Sequence, residues 1–587
     1  MRHKHMTSSN VNQTIAAFAV VGMILAGCTG GRDDSSADPP TVDDSGDSGD
    51  SGDSGGIFDD TSDDRFADER ADEAADDAAD DAADEPADEP ANEAFEDADV
   101  DFADSGTASP SIAAGDAEGG LFGAEPEQLS PSNRLDDNTF EDYGYRDFVD
   151  VDDDPLSTFA LDVDTGSYSL ARRWLDEGVL PPRESVRPEE YINVFDYDYD
   201  TPRNGLELTV DGGPSPFDED NYLVRIGVQG EVVDDRDRGA AALTFVIDTS
   251  GSMDRDDRLG LVKESLSILV DELDDDDTVA IVTYDDRSGV VLEPTSARNR
   301  DEILDAIDRL RPGGSTNLEA GLREGYRLAN DSYRRDGINR VILASDGVAN
   351  VGVSDPDQLA RMIQDDANRG INLVTIGFGM GNFNDVTMEQ LADQGDGFYA
   401  YVDTQDEAER LFEDELTSTL LTIAKDAKIQ VEFDPEIVKA YRLIGFENRG
   451  VLDSEFRNDD VDAGELGSGH QVTAIYEVEL QRSVDLDDRG DIGEVFLRWE
   501  DPDDGDVIEI DEDIDLRDVE PNWTDTADDF QLAIVVAVFA ELMRENPYAD
   551  RIDIDELFEE AERIADQLND RKVDDLVDMI ERAADLS

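Results

Sequence analysis

The sequence predicts an α/β protein: a mostly parallel, doubly wound domain inserted in a flanking β-sandwich, with C-terminal helices and a disordered acidic N-terminal tether. Three observations predict it. Between residues 238 and 424, apolar β-branched runs alternate with amphipathic helical stretches, a pattern that builds a mostly parallel sheet with helices on both faces. Strand-like runs stand on either side of that region, and the two that precede it are too few to make a stable sheet by themselves. Residues 29–133 contain nothing that suggests a core, and no basic residue falls between Arg70 and Arg134.

The N-terminus reads as a targeting signal. Arg2, His3, Lys4 and His5 precede an apolar run at 15–26, too short to span a bilayer and right for a signal-peptide core. It ends in LAGC, residues 25–28, and Cys28 is the single cysteine of the chain, so no disulfide can form within it. LAGC resembles the lipobox of secreted lipoproteins, whose cysteine is acylated, with palmitate for example, and becomes the mature N-terminus. That resemblance implies a signal peptide at 1–28 and a lipid anchor at Cys28 that holds the protein outside the cytoplasm, on the cell membrane or the outer membrane.

Residues 29–133 follow as a tether. DSGDSGDSGDSGG gives way to ADEAADDAADDAADEPADEP, where like charges at i,i+4 oppose helix and Pro86 and Pro90 interrupt the run. A flexible chain of this length reaches roughly 60 Å, and self-repulsion extends it. Over the whole sequence 149 acidic residues face 47 basic ones, a formal charge of −102, which excludes nucleic-acid binding through basic patches and a polybasic membrane dock. An excess this large suits a salty environment, where the Debye length shrinks to about 3 Å at 1 M.

The central elements come in order. AALTFVID (241–248) is a strand, and RLGLVKESLSILVDEL (258–273) sets Leu259, Val262, Leu266, Leu269 and Leu273 on one helical face. TVAIVTYD (278–285) and GVVLEP (289–294) form a hairpin; helices follow at 300–310 and 318–329. Then come the strand RVILASD (340–346), a helix near 357–369, the strand INLVTIGFG (371–379) and a short strand GFYAYV (397–402). In sheets of this kind ligands bind at the carboxyl ends of the strands where the order reverses. With the first strand central, that point lies between TFVID and RVILASD.

Asp248 and Asp346 end those two strands, Ser250 and Ser252 project from the loop after the first, and PGGSTN (312–317) brings Thr316 from a loop before a helix. Three hydroxyls and two carboxylates make an all-oxygen shell suited to a hard cation, Mg²⁺ first, with Mn²⁺ or Ca²⁺ as alternatives. With only two acidic groups in the shell, the site is built to accept a carboxylate from outside.

At these residues the chain resembles the von Willebrand factor A domain, Rossmann-like in fold, and its metal-ion-dependent adhesion site. The family pattern D-x-S-x-S, a later threonine and a later aspartate stands here as Asp248-Thr249-Ser250-Gly251-Ser252, Thr316 and Asp346. The resemblance implies that Ser250, Ser252 and Thr316 touch the metal, that the two aspartates act largely through water, and that the partner is a protein presenting Asp or Glu.

A second Asp-Thr element, ALDVDTGS at 160–167, raises the alternative of an aspartic peptidase, in which two carboxylates share one proton. Its surroundings point elsewhere. Residues 138–199, with NTFEDYGYRDF and DPLSTFALDVDTGSYSLARRWLDEGVLPPRESVRPEEYINVFDYDY, resemble the segment that precedes the A domain in the bacterial YfbK-like family. GFGMGNFNDVTMEQLADQGDGFYAYVD (377–403) and the chain after residue 425 resemble that family too; GFGMG lacks the spacing of a dinucleotide loop.

The flanks complete the plan. LELTVDG and NYLVRIGVQG before the A domain, with KIQVEFDP, VKAYRLIGFEN, QVTAIYEVEL and GEVFLRWED after it, are expected to assemble one β-sandwich. After Thr526 an apolar helix follows whose Asp528, Asp529, Glu541 and Arg544 favour burial over a membrane span, and then two amphipathic helices. The expected divisions are 1–28, 29–133, 134–236, 238–424, 425–526 and 527–587. The chain has three histidines, two of them before the signal core and His470 in a loop, so Ser250 has no base and a His-based triad or zinc cluster is not available. The expectation is a binding protein and not an enzyme, with a structural envelope protein, a metal-dependent hydrolase or an aspartic peptidase as alternatives.

Overall fold

The computed structural model describes residues 138–587, apart from 218–220, 235, 237, 336, 348–355, 381–382, 460, 462, 485, 487–489 and 503. The signal core, Cys28 and the expected tether lie outside the described residues.

The central sheet has six strands in the spatial order Tyr399–Val402, Asn372–Phe378, Ile338–Ser345, Ala241–Asp248, Thr278–Tyr284 and Ser288–Ser296. All neighbours are parallel except the last, whose hairpin makes an antiparallel edge. Every residue of Ala241–Asp248, Ile338–Ser345 and Asn372–Phe378 is buried, because helices cover both faces and no side of these strands meets water. Alternation assigns the faces. Phe245 and Ile247 join the core of helix Leu261–Glu272, whereas Val246 joins that of helix Leu318–Asp331. The second helix lies close because Gly321 and Gly325 face the sheet; a Cβ on Gly325 would stand 2.3 Å from Val246 Cγ2.

The flanks form two antiparallel sheets. One has the order Val149–Asp150, Val438–Ile444, Gln471–Leu480, Tyr222–Gly230 and Leu206–Pro214. The other runs Gly464–Gly467, Thr422–Phe433, Asp491–Glu500 and Val507–Asp515, with Leu156–Ala160 also paired to Thr422–Phe433. Strands from before and after the central domain therefore sit in the same sheets, and Val224 stands opposite Tyr476 across that join. Their inner faces share one core in which Val224, Ile226, Ile429, Val431, Leu443, Val495 and Leu497 meet, and the Phe433 and Tyr441 rings stack at 4.3 Å. The chain leaves this sandwich after Gly230 and returns to it at Thr422, so the α/β domain is an insertion.

Helix Asp528–Met543 is apolar on all sides because it is buried on all sides. It packs between the outer face of the first sheet, through Leu223, Ile444 and Ile475, the N-terminal helices through Tyr168 and Tyr191, and helices Ile554–Leu568 and Arg571–Leu586. Its polar handle, Glu541, meets Arg442 of the sheet at 2.9 Å. Among the described residues no helix is long and apolar enough to cross a membrane.

Candidate functional site

Ala241–Asp248 and Ile338–Ser345 run side by side in parallel, with Ile247 opposite Ala344, so Asp248 and Asp346 emerge together at the carboxyl edge of the sheet. Both are fully buried. Asp248 Oδ1 accepts the Ser250 N–H at 2.7 Å, and its Oδ2 accepts the Ser345 hydroxyl at 3.1 Å. Burial, and next the charge of Asp346, push the Asp248 carboxyl up to about 6. The Ser250 and Ser252 hydroxyl oxygens lie 2.8 Å apart. The loop that carries Thr316 is laced to this one by backbone: Gly313 N–H donates to Thr249 O at 2.7 Å and Gly251 N–H to Gly314 O at 3.1 Å. On its other side Asn317 N–H donates to Asp285 O at 2.9 Å, and the Asn317 side chain caps helix Leu318–Asp331. Asp248, Ser250, Ser252, Thr316 and Asp346 thus stand on three loops at one edge.

Asp346 shows the most telling detail. Its Oδ2 accepts from Arg258 Nη1, while its Oδ1 is buried with no hydrogen-bond partner among the described residues. A buried carboxylate oxygen left unsatisfied is costly and calls for a cation or a donor. Sequence reasoning missed Arg258. It sits ten residues after Asp248, in the π-helical turn Asp256–Gly260 that enters helix Leu261–Glu272, and nothing local marks it.

The second Asp-Thr element lies in a different cluster. Asp164 feels Asp162, Arg449, Glu190 and Asp393, whereas Asp248 feels Asp346, so the two elements are not a proton-sharing pair. Oxygens of Asp162, Asp164 and Glu190 lie within 4.8 Å of one another. Each of the six already accepts a hydrogen bond: Asp162 from Asp164 N–H and Arg449, Asp164 from Tyr399 N–H and Arg449, Glu190 from Ser167 N–H and Arg187. Arg187 continues to Asp385 at 2.6 Å and Arg449 to Asp393 at 2.9 Å, both on helix Asp385–Asp393 of the inserted domain. The DVDTGS and RPEE strings therefore build a buried ionic junction between the inserted domain and its flanks.

That junction holds more acid than base, and its titration is a prediction. Burial, then Glu447 and Asp162, push Glu189 up to about 7 against the opposing pull of backbone N–H groups at Glu189 and Phe446. A carboxyl with a raised folded pKa contributes stability that is present below its unfolded value and lost as pH climbs through about 7. The melting temperature is expected to fall between pH 5 and 8. Glu189→Gln should flatten that fall, raising stability at pH 8 by about 2 kcal/mol and leaving pH 5 unchanged; melts of equal slope in both proteins would refute it.

His470 offers no base for Ser250. Burial lowers it to about 4, its Nδ1 accepts the Gly467 N–H at 3.1 Å, and its ring meets Phe398 edge-on.

Known proteins place these features. The sequence model of the von Willebrand factor type A domain matches residues 242–414. That for the C-terminal region of uncharacterized protein YfbK matches 418–586, and a further von Willebrand factor model matches 134–225. Uncharacterized protein YfbK of Escherichia coli (strain K12) is 41% identical over 339 residues, 56% of this chain and 59% of that protein. The chain thus spans less than two thirds of that relative's length. Human inter-alpha-trypsin inhibitor heavy chain H3 is 27% identical over 194 residues, 31% of this chain and 21% of that protein. Among solved structures, the von Willebrand factor type A protein from Catenulispora acidiphila covers 65% of this chain and 91% of its own, with a TM-score of 0.38 and 17% identity.

Proposed function

On the premise that residues 242–414 are a von Willebrand factor type A domain set between YfbK-like flanks, we propose that the chain is a lipid-anchored, extracytoplasmic protein-binding module. Its binding group is a metal-ion-dependent adhesion site that takes an acidic side chain of a partner. One observation carries the reading. Two buried carboxylates, Asp248 and Asp346, emerge beside a close pair of hydroxyls, and Asp346 Oδ1 has no hydrogen-bond partner among the described residues.

The residues fit a hard divalent ion: Asp248, Ser250, Ser252, Thr316 and Asp346 would hold it, all through oxygen. A bound Mg²⁺ supplies a Lewis-acid position that an external carboxylate completes. Backbone bonds between the Thr249 and Gly314 loops fix the hydroxyls in advance, so little ordering is left to the binding step. Anchoring at Cys28, supported by the apolar run at 15–26 and the LAGC string, sets the module on the outer side of a membrane. His470, the one histidine among the described residues, is tied to the Gly467 N–H, and we read the site as one for binding and not hydrolysis.

Calorimetry with Mg²⁺ tests the site. Loose binding by the many surface carboxylates is common to every variant, so the informative quantity is the high-affinity phase. Asp346→Asn and Thr316→Val should each weaken that phase at least about tenfold, the cost of losing one well-placed ligand at about 1.4 kcal/mol or more. An unchanged phase in both variants removes the metal site. Capture of a partner from native membranes that survives EDTA would separate partner binding from the metal.

A further inference from the structure

The GFGMG string, residues 377–381, and Arg258 are unused by the reading above, and the structure joins them. Arg258 is buried at the rim of the crevice, and its contacts reach three different loops, at Asp346 Oδ2, Ser252 O at 2.9 Å, and Met380 O. Gly379 makes room for it. A Cβ there would lie 2.4 Å from Arg258 Cγ and 2.8 Å from its Nε, and its φ of +74° disfavours a side chain in any case. Gly379 and the Met380 carbonyl therefore cradle a guanidinium at the crevice.

We propose that Arg258 is a built-in cation of the adhesion site, one that holds back the divalent ion and keeps the loaded site positive so that it demands an acidic partner. This rests on the metal reading above. Asp248 and Asp346 carry two negative charges, and Arg258 returns one. Over these three groups the sum is one net negative charge before a divalent ion arrives, and one net positive charge once that ion is in place. Without the guanidinium the same sum would be two negative charges before loading and none after. A unit charge beside a partly buried divalent ion changes its binding steeply, because the local dielectric screens far less than water does. The arginine thus trades metal affinity for appetite toward a carboxylate. Two of the three loops it spans carry residues of the site, those of Ser252 and Asp346, so the same side chain also stiffens them; the sign of one measurement separates the two roles.

The test is Mg²⁺ calorimetry on the full chain, with wild type, Arg258→Met and Arg258→Lys compared, and thermal melts in EDTA to establish folding. If Arg258 acts as an internal cation, Arg258→Met binds Mg²⁺ about tenfold more tightly or better, and Arg258→Lys stays within about threefold of wild type. A residue that only staples loops gives the opposite sign: its loss weakens Mg²⁺ binding. Equal or weaker binding by a folded Arg258→Met overturns the proposal and leaves the metal site standing. Should Arg258→Met fail to fold, Arg258→Gln, which keeps donors without charge, carries the same expectation, and failure of both to fold also counts against it. If wild type shows no high-affinity phase while Arg258→Met gains one, the proposal is supported in its strongest form. If neither shows one, the metal reading falls and takes this inference with it.

Discussion

Replacing Arg449 with methionine is expected to cost about 3–5 kcal/mol of stability, the range for removing one partner of a buried ion pair. Its guanidinium reaches Asp393 at 2.9 Å, Asp162 and Asp164 at 3.1 Å each, and Glu389 at 3.5 Å, and its side chain is only 14% exposed. Removing it leaves four carboxylates facing one another with Arg187 as the nearest remaining cation of the junction. Those groups would protonate where they could, so the loss should be larger at pH 8 than at pH 5. Arg457→Met is the control. It pairs with Glu509 at 2.8 Å, but its side chain is 55% exposed, and about 1 kcal/mol or less should be lost. Urea unfolding of both variants decides the matter. A loss below about 1 kcal/mol for Arg449→Met would mean that the junction is solvated and that its ion pairs hold nothing.

What could be read in the sequence follows a physical division. Elements whose burial is two-sided are visible, because short, continuous β-branched runs such as those ending at Asp248 and Ser345 suit strands covered on both faces, and Asp248 and Asp346 sit at their ends. Strand Val507–Asp515 was not foreseen. It reads VIEIDEDID and lies at a sheet edge, where only Ile508, Ile510 and Ile514 turn toward the core while acids face water. In a chain this acidic, such a pattern looks like a solvated loop. Helices Gly166–Asp176 and Asp385–Asp393 were likewise not marked out, the first because its buried face includes Gly166, Ser167 and Ser169, which carry little hydrophobic signal. Arg258 and Arg449 were invisible for another reason. Arg258 finds Asp346 across 88 residues and Met380 across 122, and Arg449 finds Asp162 across 287. Partners that far apart are fixed by topology, and no local period records them. Asp248, Ser250 and Ser252 stand in one local motif, whereas Arg258 and Arg449 are brought to their partners by the fold.

The insertion itself yields the other large effect. A fragment of residues 134–236 is expected to show no cooperative unfolding, although it contains the complete match at 134–225 to a von Willebrand factor sequence model. Its strands Leu206–Pro214 and Tyr222–Gly230 pair with each other, but Tyr222–Gly230 is an inner strand whose other edge belongs to Gln471–Leu480. Val224, Ile226 and Val228 would lose Ile429, Val431 and Val495 across the sandwich, and Tyr168, Tyr191 and Phe195 would lose Phe539 and Ile534 of the buried helix. A two-stranded ribbon with that much apolar surface uncovered is at best marginal and tends to pair with other copies. Adding residues 422–587 supplies both the missing sheet edge and the helix, so mixing the two fragments should restore a melting transition that neither shows alone. Far-ultraviolet circular dichroism of each fragment and of the mixture measures this. If residues 134–236 melt cooperatively by themselves, the shared sheet contributes little and the inserted domain is flanked by two separate units. If the mixture gains a transition that depends on both concentrations, the sandwich is one cooperative body whose two halves recognise each other through the shared sheet edge and the buried helix, with the inserted domain serving only to keep them on one chain.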